Sequence, residues 1–337
     1  MHGRAGNRAN RKGLKFIKRS VALFGAALLC SVFCGQAGAY GLTVYYLFKL
    51  ANFSGGIPYS FGTRLAVDGY TGEVYVISDD TVSIFNSAGM QTYQFGEAGN
   101  LGVISDLAVD KDGNILTLSY GRGDNRYFIG FCNYRGELKR KIMVTNLPPS
   151  FSIFEPGKLF IKGGHLYLAD LSHLLVAQVD EKGVCLRTWD LFHTMGWDKI
   201  KDKSGNFMKA GDVGAFGFTM DDAGNMYLTI PTSFRAYKVT PDGKVKGFGV
   251  GGSGAGKFGV ASGIAVDDKG YIYVTDRLRC AVLIFDKDLN FAREFGYRGY
   301  GMGGLIVPTE VAVAKDGTLY VSQGANRGVD VFKMGYD

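Results

Sequence analysis

Residues equipped for chemistry are few in this chain. Of its four histidines, His165, His173 and His193 lie beyond the N-terminal segment. A catalytic zinc needs about three protein ligands converging on one point. His165 is expected at a tight hairpin and His173 at the far end of the strand that follows, so the pair should straddle one sheet rather than meet. Gly249, Gly251 and Gly254 satisfy G-x-G-x-x-G, and Gly251 to Gly256-Lys257 nearly satisfies a phosphate loop. Both motifs require a helix immediately afterwards, whereas the next apolar run, Gly263 to Val266, reads as a strand. Phe258 also stands where Ser or Thr would hold magnesium. Segments 96–102 and 296–304 are equally glycine-rich, so all three read as connectors. Asp202-Lys203-Ser204-Gly205-Asn206 is too short for a calcium loop and lacks the closing Glu. Neither a nucleophile elbow nor a Cys-x-x-Cys-His haem motif occurs. Cys132, Cys185 and Cys280 are far apart in no metal-type spacing and read as buried or partly buried thiols, although an oxidising compartment would permit one disulfide among them. The motifs therefore supply no catalytic residue, no metal site and no cofactor.

What organises the chain is a repeat. Leu65-Ala66-Val67-Asp68 leads to Val74-Tyr75-Val76, and Leu107-Ala108-Val109-Asp110 to Ile115-Leu116-Thr117-Leu118. Weaker copies run from Leu159-Phe160-Ile161 to Leu166-Tyr167-Leu168 and from Phe218-Thr219-Met220-Asp221 to Met226-Tyr227-Leu228. Strong ones return at Ile264-Ala265-Val266-Asp267 and at Val311-Ala312-Val313. Turns such as Asp112-Gly113-Asn114 and Asp316-Gly317 join first strands to second, and Ser87-Ala88-Gly89 and Pro241-Asp242-Gly243 join third to fourth. Gly and Asn supply the positive φ that tight hairpins need. Six units of about 40 to 50 residues, four strands each, predict an all-β, six-bladed β-propeller. The last unit reaches its third strand at Val329-Asp330-Val331-Phe332 and stops. Thr43-Val44-Tyr45-Tyr46-Leu47-Phe48 is a strand with none before it. The N-terminal strand is expected to complete the last blade, which removes exposed sheet edges and locks the ring.

The unit from Ser262-Gly263-Ile264-Ala265-Val266-Asp267 through Ile272-Tyr273-Val274-Thr275-Asp276 and Arg279 to Phe295-Gly296 resembles an NHL repeat almost throughout. The sixth unit is similar, with Pro308 before its first strand and Asn326-Arg327 in its middle turn. The resemblance spans residues 43–335. It implies the six-bladed propeller but no single activity, because the family includes scaffolds, hydrolase relatives and an amidating lyase. Amidating-lyase relatives spread zinc ligands over separate blades, whereas the histidines here fall within or next to one. Lactonase-type relatives hold a metal in the channel with acidic and amide side chains.

Seven of the 38 basic residues precede residue 40, where no acidic residue occurs, and the remaining 31 face 31 acidic ones. A neutral body removes the electrostatic motive for nucleic-acid binding. The basic segment leads into an apolar run of about 13 residues at 21–33 and then to Ala37-Gly38-Ala39. That order reads as a secretory signal peptide cleaved after Ala39, too short for a spanning helix of about 20 residues. The mature chain, 40–337, is expected in the periplasm or outside the cell, without a membrane span.

In a propeller the start of every first strand and every second-to-third turn lie on one face. Arg64, Asp106, Lys158, Gly217, Gly263 and Glu310 start the first strands, so four charges should ring the channel mouth, with the glycines leaving a gap on one side. Such a mouth suits a small polar ligand or internal ion pairing. Arg126, Arg235, Arg279 and Arg327 recur in the middle turns of that face, with Asp79, Asp80, Asp170 and Asp276. The one long insertion, 192–213, rises there too, carrying Trp197, Phe207 and Met208 among lysines. Aromatic and methionine side chains exposed on an insertion mark a partner surface; packed over the channel, they would form a flap. The expectation is a binding or scaffolding module for another exported protein. The alternative is a metal-dependent hydrolase or lyase with Asp106 and Glu310 as ligands or acid/base groups.

Overall fold

The computed structural model describes residues 41–52, 63–78, 80–96, 100–123 and 125–336. The leader and Asp79 lie outside the described residues. Six four-stranded antiparallel sheets follow one another around a ring. Blade one comprises Arg64–Val67, Val74–Ser78, Thr81–Phe85 and Gln91–Phe95. The innermost strands of blades two to six are Val103–Val109, Lys158–Lys162, Gly217–Met220, Ala261–Val266 and Pro308–Val313.

Period-two alternation holds the ring together, because successive side chains of a strand point to opposite faces of its blade. In the second strand of blade one, Val74 and Val76 pack with Tyr320, Val329 and Val331 of blade six. The intervening Tyr75 and Ile77 pack with Leu101, Ile104 and Leu107 of blade two. Every neighbouring pair of blades shares one such apolar cluster, including the pair that closes the circle. Strands covered on both faces read as continuous apolar runs; Val74–Ser78, Met226–Ile230 and Ile272–Asp276 are buried at every residue.

The recurrent aspartate after a first strand is explained by its bonds. Asp110 Oδ1 accepts from the backbone N–H groups of Asp112 and Asn114, both at 2.9 Å, and Asp267 does the same for Lys269 and Tyr271 at 3.0 and 2.8 Å. A side-chain acceptor thereby replaces a missing backbone partner in the hairpin.

Leu42–Lys49 pairs antiparallel with Gly328–Tyr336 as the fourth strand of blade six, with Thr43 opposite Gly335 and Tyr46 opposite Phe332. Lys49 fastens the junction, its Nζ 2.5 Å from Asp330 and 2.8 Å from the Arg327 carbonyl oxygen. The glycine-rich connector after blade four holds a short parallel pair, Val250–Gly251 beside Lys257–Phe258, with Phe258 fully buried. No helix follows it, which removes the phosphate-loop reading. Cys132, Cys185 and Cys280 are all free thiols. No helix of the described residues is long and apolar enough to cross a membrane.

Candidate functional site

The innermost strand of each blade pairs with another strand on its outer side only, so its inner edge faces a central channel of about 410 Å³. The upper face is the one carrying the blade-to-blade connectors and the second-to-third turns. The lower face carries the first-to-second and third-to-fourth turns.

The upper end of the channel gathers Asp106, Lys158 and Glu310. Lys158 on blade three reaches across the ring to Glu310 on blade six, Nζ to Oε1 3.0 Å, with side-chain exposures of only 7% and 17%. Asp106 on blade two accepts the Leu159 N–H of blade three at 2.9 Å. Its carboxyl is held above the usual range, first by loss of water, against which the Lys158 ammonium works in the opposite direction. For Lys158, burial alone would favour the neutral amine. The Glu310 and Asp106 carboxylates outweigh it and raise the ammonium above its ordinary value. Arg64 stands near enough to act on both Asp106 and Lys158. The four side chains expected at the mouth thus act on one another as one network.

The gap expected from the two glycines is absent. A Cβ on Gly217 would lie 2.3 Å from the Ser262 carbonyl oxygen, and one on Gly263 would lie 2.6 Å from Glu310 Cα. Glycine is required there because the inner strands of blades four, five and six touch backbone to backbone.

The insertion between blades three and four is a wedge. Leu191, Phe192, Val213 and Ala215 enter the cluster shared by those blades, and Met195, Trp197 and Met208 pack against it. Trp197 and Met208 are therefore half-buried packing residues, whereas Phe207 is 59% exposed with the Lys201 ammonium 4.8 Å from its ring.

The middle-turn arginines divide. Arg279 grips Glu294 in a two-pronged pair at 2.9 and 2.7 Å and donates to the Lys257 carbonyl at 2.8 Å. Arg327 lies 4.9 Å from the centre of the Tyr300 ring. Arg126 and Arg235 are exposed. Asp170 and Asp276 are buried clamps. Asp276 alone accepts from Gly259, Val260, Leu278 and Arg279, tying the incoming connector to the middle turn.

His173 and His193 each bond the aspartate three residues earlier, at 2.8 and 2.7 Å, and His165 Nδ1 is buried without a hydrogen bond. Among the described residues no three His, Cys, Asp or Glu side chains gather in a way that could hold a metal.

Two features were missed in the residue-by-residue reading. The upper face is studded with exposed apolar side chains: Phe216, Phe234, Val250, Leu278, Tyr300 and Met302, the last 84% exposed. Arginines run among them. Arg277 lies 5.9 Å from the Phe216 ring, and Arg298 donates to the Leu278 carbonyl at 3.1 Å. The lower turns expose only Tyr70, Met90 and Tyr134 among the large apolar side chains described. Second, the lower end of the channel is lined by Tyr70, Lys111, Lys162, Asp222, Asp268 and Lys315. The charged members follow the first-strand apolar triplet of blades two to six, a register that the repeat alignment contains.

No protein-family model matches the sequence, and no curated protein is recognisably similar to it. Solved structures are similar in fold. A streptogramin B lyase superposes with a TM-score of 0.52 at 12% identity, covering 89% of this chain and 100% of that one. The calcium-binding protein regucalcin of Agrobacterium tumefaciens C58 gives 0.55 at 15% identity, covering 86% and 97%. A gluconolactonase of Xanthomonas campestris gives 0.55 at 13%, covering 88% and 91%. At such identities the likeness is one of architecture, and the chain is a six-bladed β-propeller.

Proposed function

We propose that this propeller is an exported binding module whose upper face docks another protein. The observation carrying this reading is the greater number of exposed apolar side chains on the upper face, with arginines among them, centred on Phe216, Phe234, Arg277 and Leu278 of blades four and five. Aromatic residues and arginine are the types enriched where proteins recognise one another. The signal-peptide reading of residues 1–39 and the NHL-like character of units five and six accord with an exported scaffold. The test is capture of a partner from the exported fraction by the immobilised protein. Phe216→Ser, Phe234→Ser and Leu278→Ser combined should abolish capture, and Tyr70→Ser, Met90→Ser and Tyr134→Ser combined should leave it intact. Equal capture by both variants would refute the assignment.

The second reading is a hydrolase or lyase acting in the channel. It draws on the names of the lyase and gluconolactonase that share the fold, and on the buried Asp106 with its raised carboxyl. The residues do not fit a metal at the upper mouth: a cation, the Lys158 ammonium, already binds Glu310 there and attracts Asp106. Under this reading Asp106→Asn abolishes an activity, whereas under the first it leaves partner capture unchanged.

A further inference from the structure

We propose that the lower mouth of the channel binds a compact hydrophilic oxyanion, a carboxylate or a phosphate, through Lys111 and Lys315. This site is at the opposite end from the charges discussed above and stands independently of the docking face.

Around the lower mouth the blades contribute, in ring order, Lys315, Tyr70, Lys111 and Lys162 along one arc and Asp222 and Asp268 along the other. Lys162 is spoken for, its ammonium 2.6 Å from Asp222. Lys111 and Lys315 form no ion pair within 4.0 Å among the described residues; Lys315 lies 5.3 Å from the centre of the Tyr70 ring. Two ammonium groups on blades six and two thus stand either side of a tyrosine on blade one in ring order, at the lower opening of the channel of about 410 Å³. That volume falls within the range of small-molecule sites, about 300–1,000 Å³.

The channel wall above them suits a polar guest rather than a greasy one. Each inner strand ends its sheet and so turns one edge of backbone toward the bore, where at the far end the Leu159 N–H donates to the Asp106 carboxylate. Backbone donors together with lysine ammonium groups make an oxyanion cradle. The Lys158–Glu310 bridge spans the upper end, so the guest enters and leaves from below. Asp222 is neutralised by Lys162, and the Asp268 carboxylate on blade five faces the guest from the side opposite Lys111 and Lys315, which orients the oxyanion toward blades six, one and two.

The test is isothermal titration of the purified protein with inorganic phosphate and, separately, with citrate, at low ionic strength. Saturable binding of either supports the site, and the one that binds identifies phosphate or carboxylate as the preferred head. Lys111→Gln with Lys315→Gln should weaken binding at least tenfold, Lys111→Arg with Lys315→Arg should retain it, and Lys139→Gln, on the outer strand of blade two, should change nothing. No saturable binding of either anion would overturn the proposal, as would undiminished binding by the double glutamine variant or an equal loss in Lys139→Gln.

Discussion

Lys158 and Glu310 belong to blades on opposite sides of the ring, and their side chains meet across it at 3.0 Å with little exposure to water. Removing one partner of a buried ion pair strands the other, at a cost of about 3–5 kcal/mol, whereas replacing both with apolar groups of similar volume is often neutral. Glu310→Leu and Lys158→Met should each lower stability by about 3–5 kcal/mol. The pair Lys158→Met with Glu310→Leu should recover much of the loss. Urea denaturation of the four proteins in a double-mutant cycle measures this, and additive losses would show that the bridge carries no coupling.

Asp106 sets a pH signature. Its carboxyl is raised above the ordinary 3.8 by burial, so between that value and the folded one the native state holds more protons than the unfolded state. Its contribution to stability is present in acid and is lost as pH rises through the folded value. Asp106→Asn removes this loss. Stability of the variant relative to the parent should therefore rise from pH 4 toward pH 7, as followed by urea midpoints. A flat difference would place Asp106 in a watery setting.

Gly263 tests the closeness of the inner strands. A methyl group there meets Glu310 Cα at 2.6 Å and the Thr309 carbonyl oxygen at 2.7 Å. Gly263→Ala should cost about 1–3 kcal/mol by overpacking, while Gly211→Ala, with nothing within 4 Å, should be nearly silent. Thermal denaturation of the two variants decides it.

The repeat made most of the fold legible in the sequence. Asp110 and Asp267 announce their hairpins because the carboxylate itself builds the turn, and the unpaired strand at each chain end could be matched by counting. The site was legible in part. Asp106, Lys158 and Glu310 share a repeat position, so their convergence followed from the ring. Local sequence did not show that Gly217 and Gly263 close the wall rather than open it, since that depends on how near three blades approach. Trp197 and Met208 looked like interface residues, yet a wedge between blades uses the same residue types as a docking surface. Phe234 and Leu278 sit in turns whose exposure only the assembled ring determines.

Ring closure has its own check. Leu42 is buried at one end of the N-terminal strand, and Lys49 pairs with Asp330 at the other. Deleting residues 42–49 uncovers the edge of Gly328–Tyr336 and opens the cluster shared by blades five and six. The truncated protein should lose its cooperative melt and aggregate, because an unprotected edge recruits other strands. Light scattering during a thermal ramp records the outcome.

The docking face is tested most directly by photo-crosslinking in the native host, with a photoreactive phenylalanine analogue at Phe234 in one strain and at Tyr134 in another. The account predicts a discrete crosslinked protein from position 234 and none from position 134. Crosslinking from 134 alone, equal crosslinking from both, or none from either would contradict it.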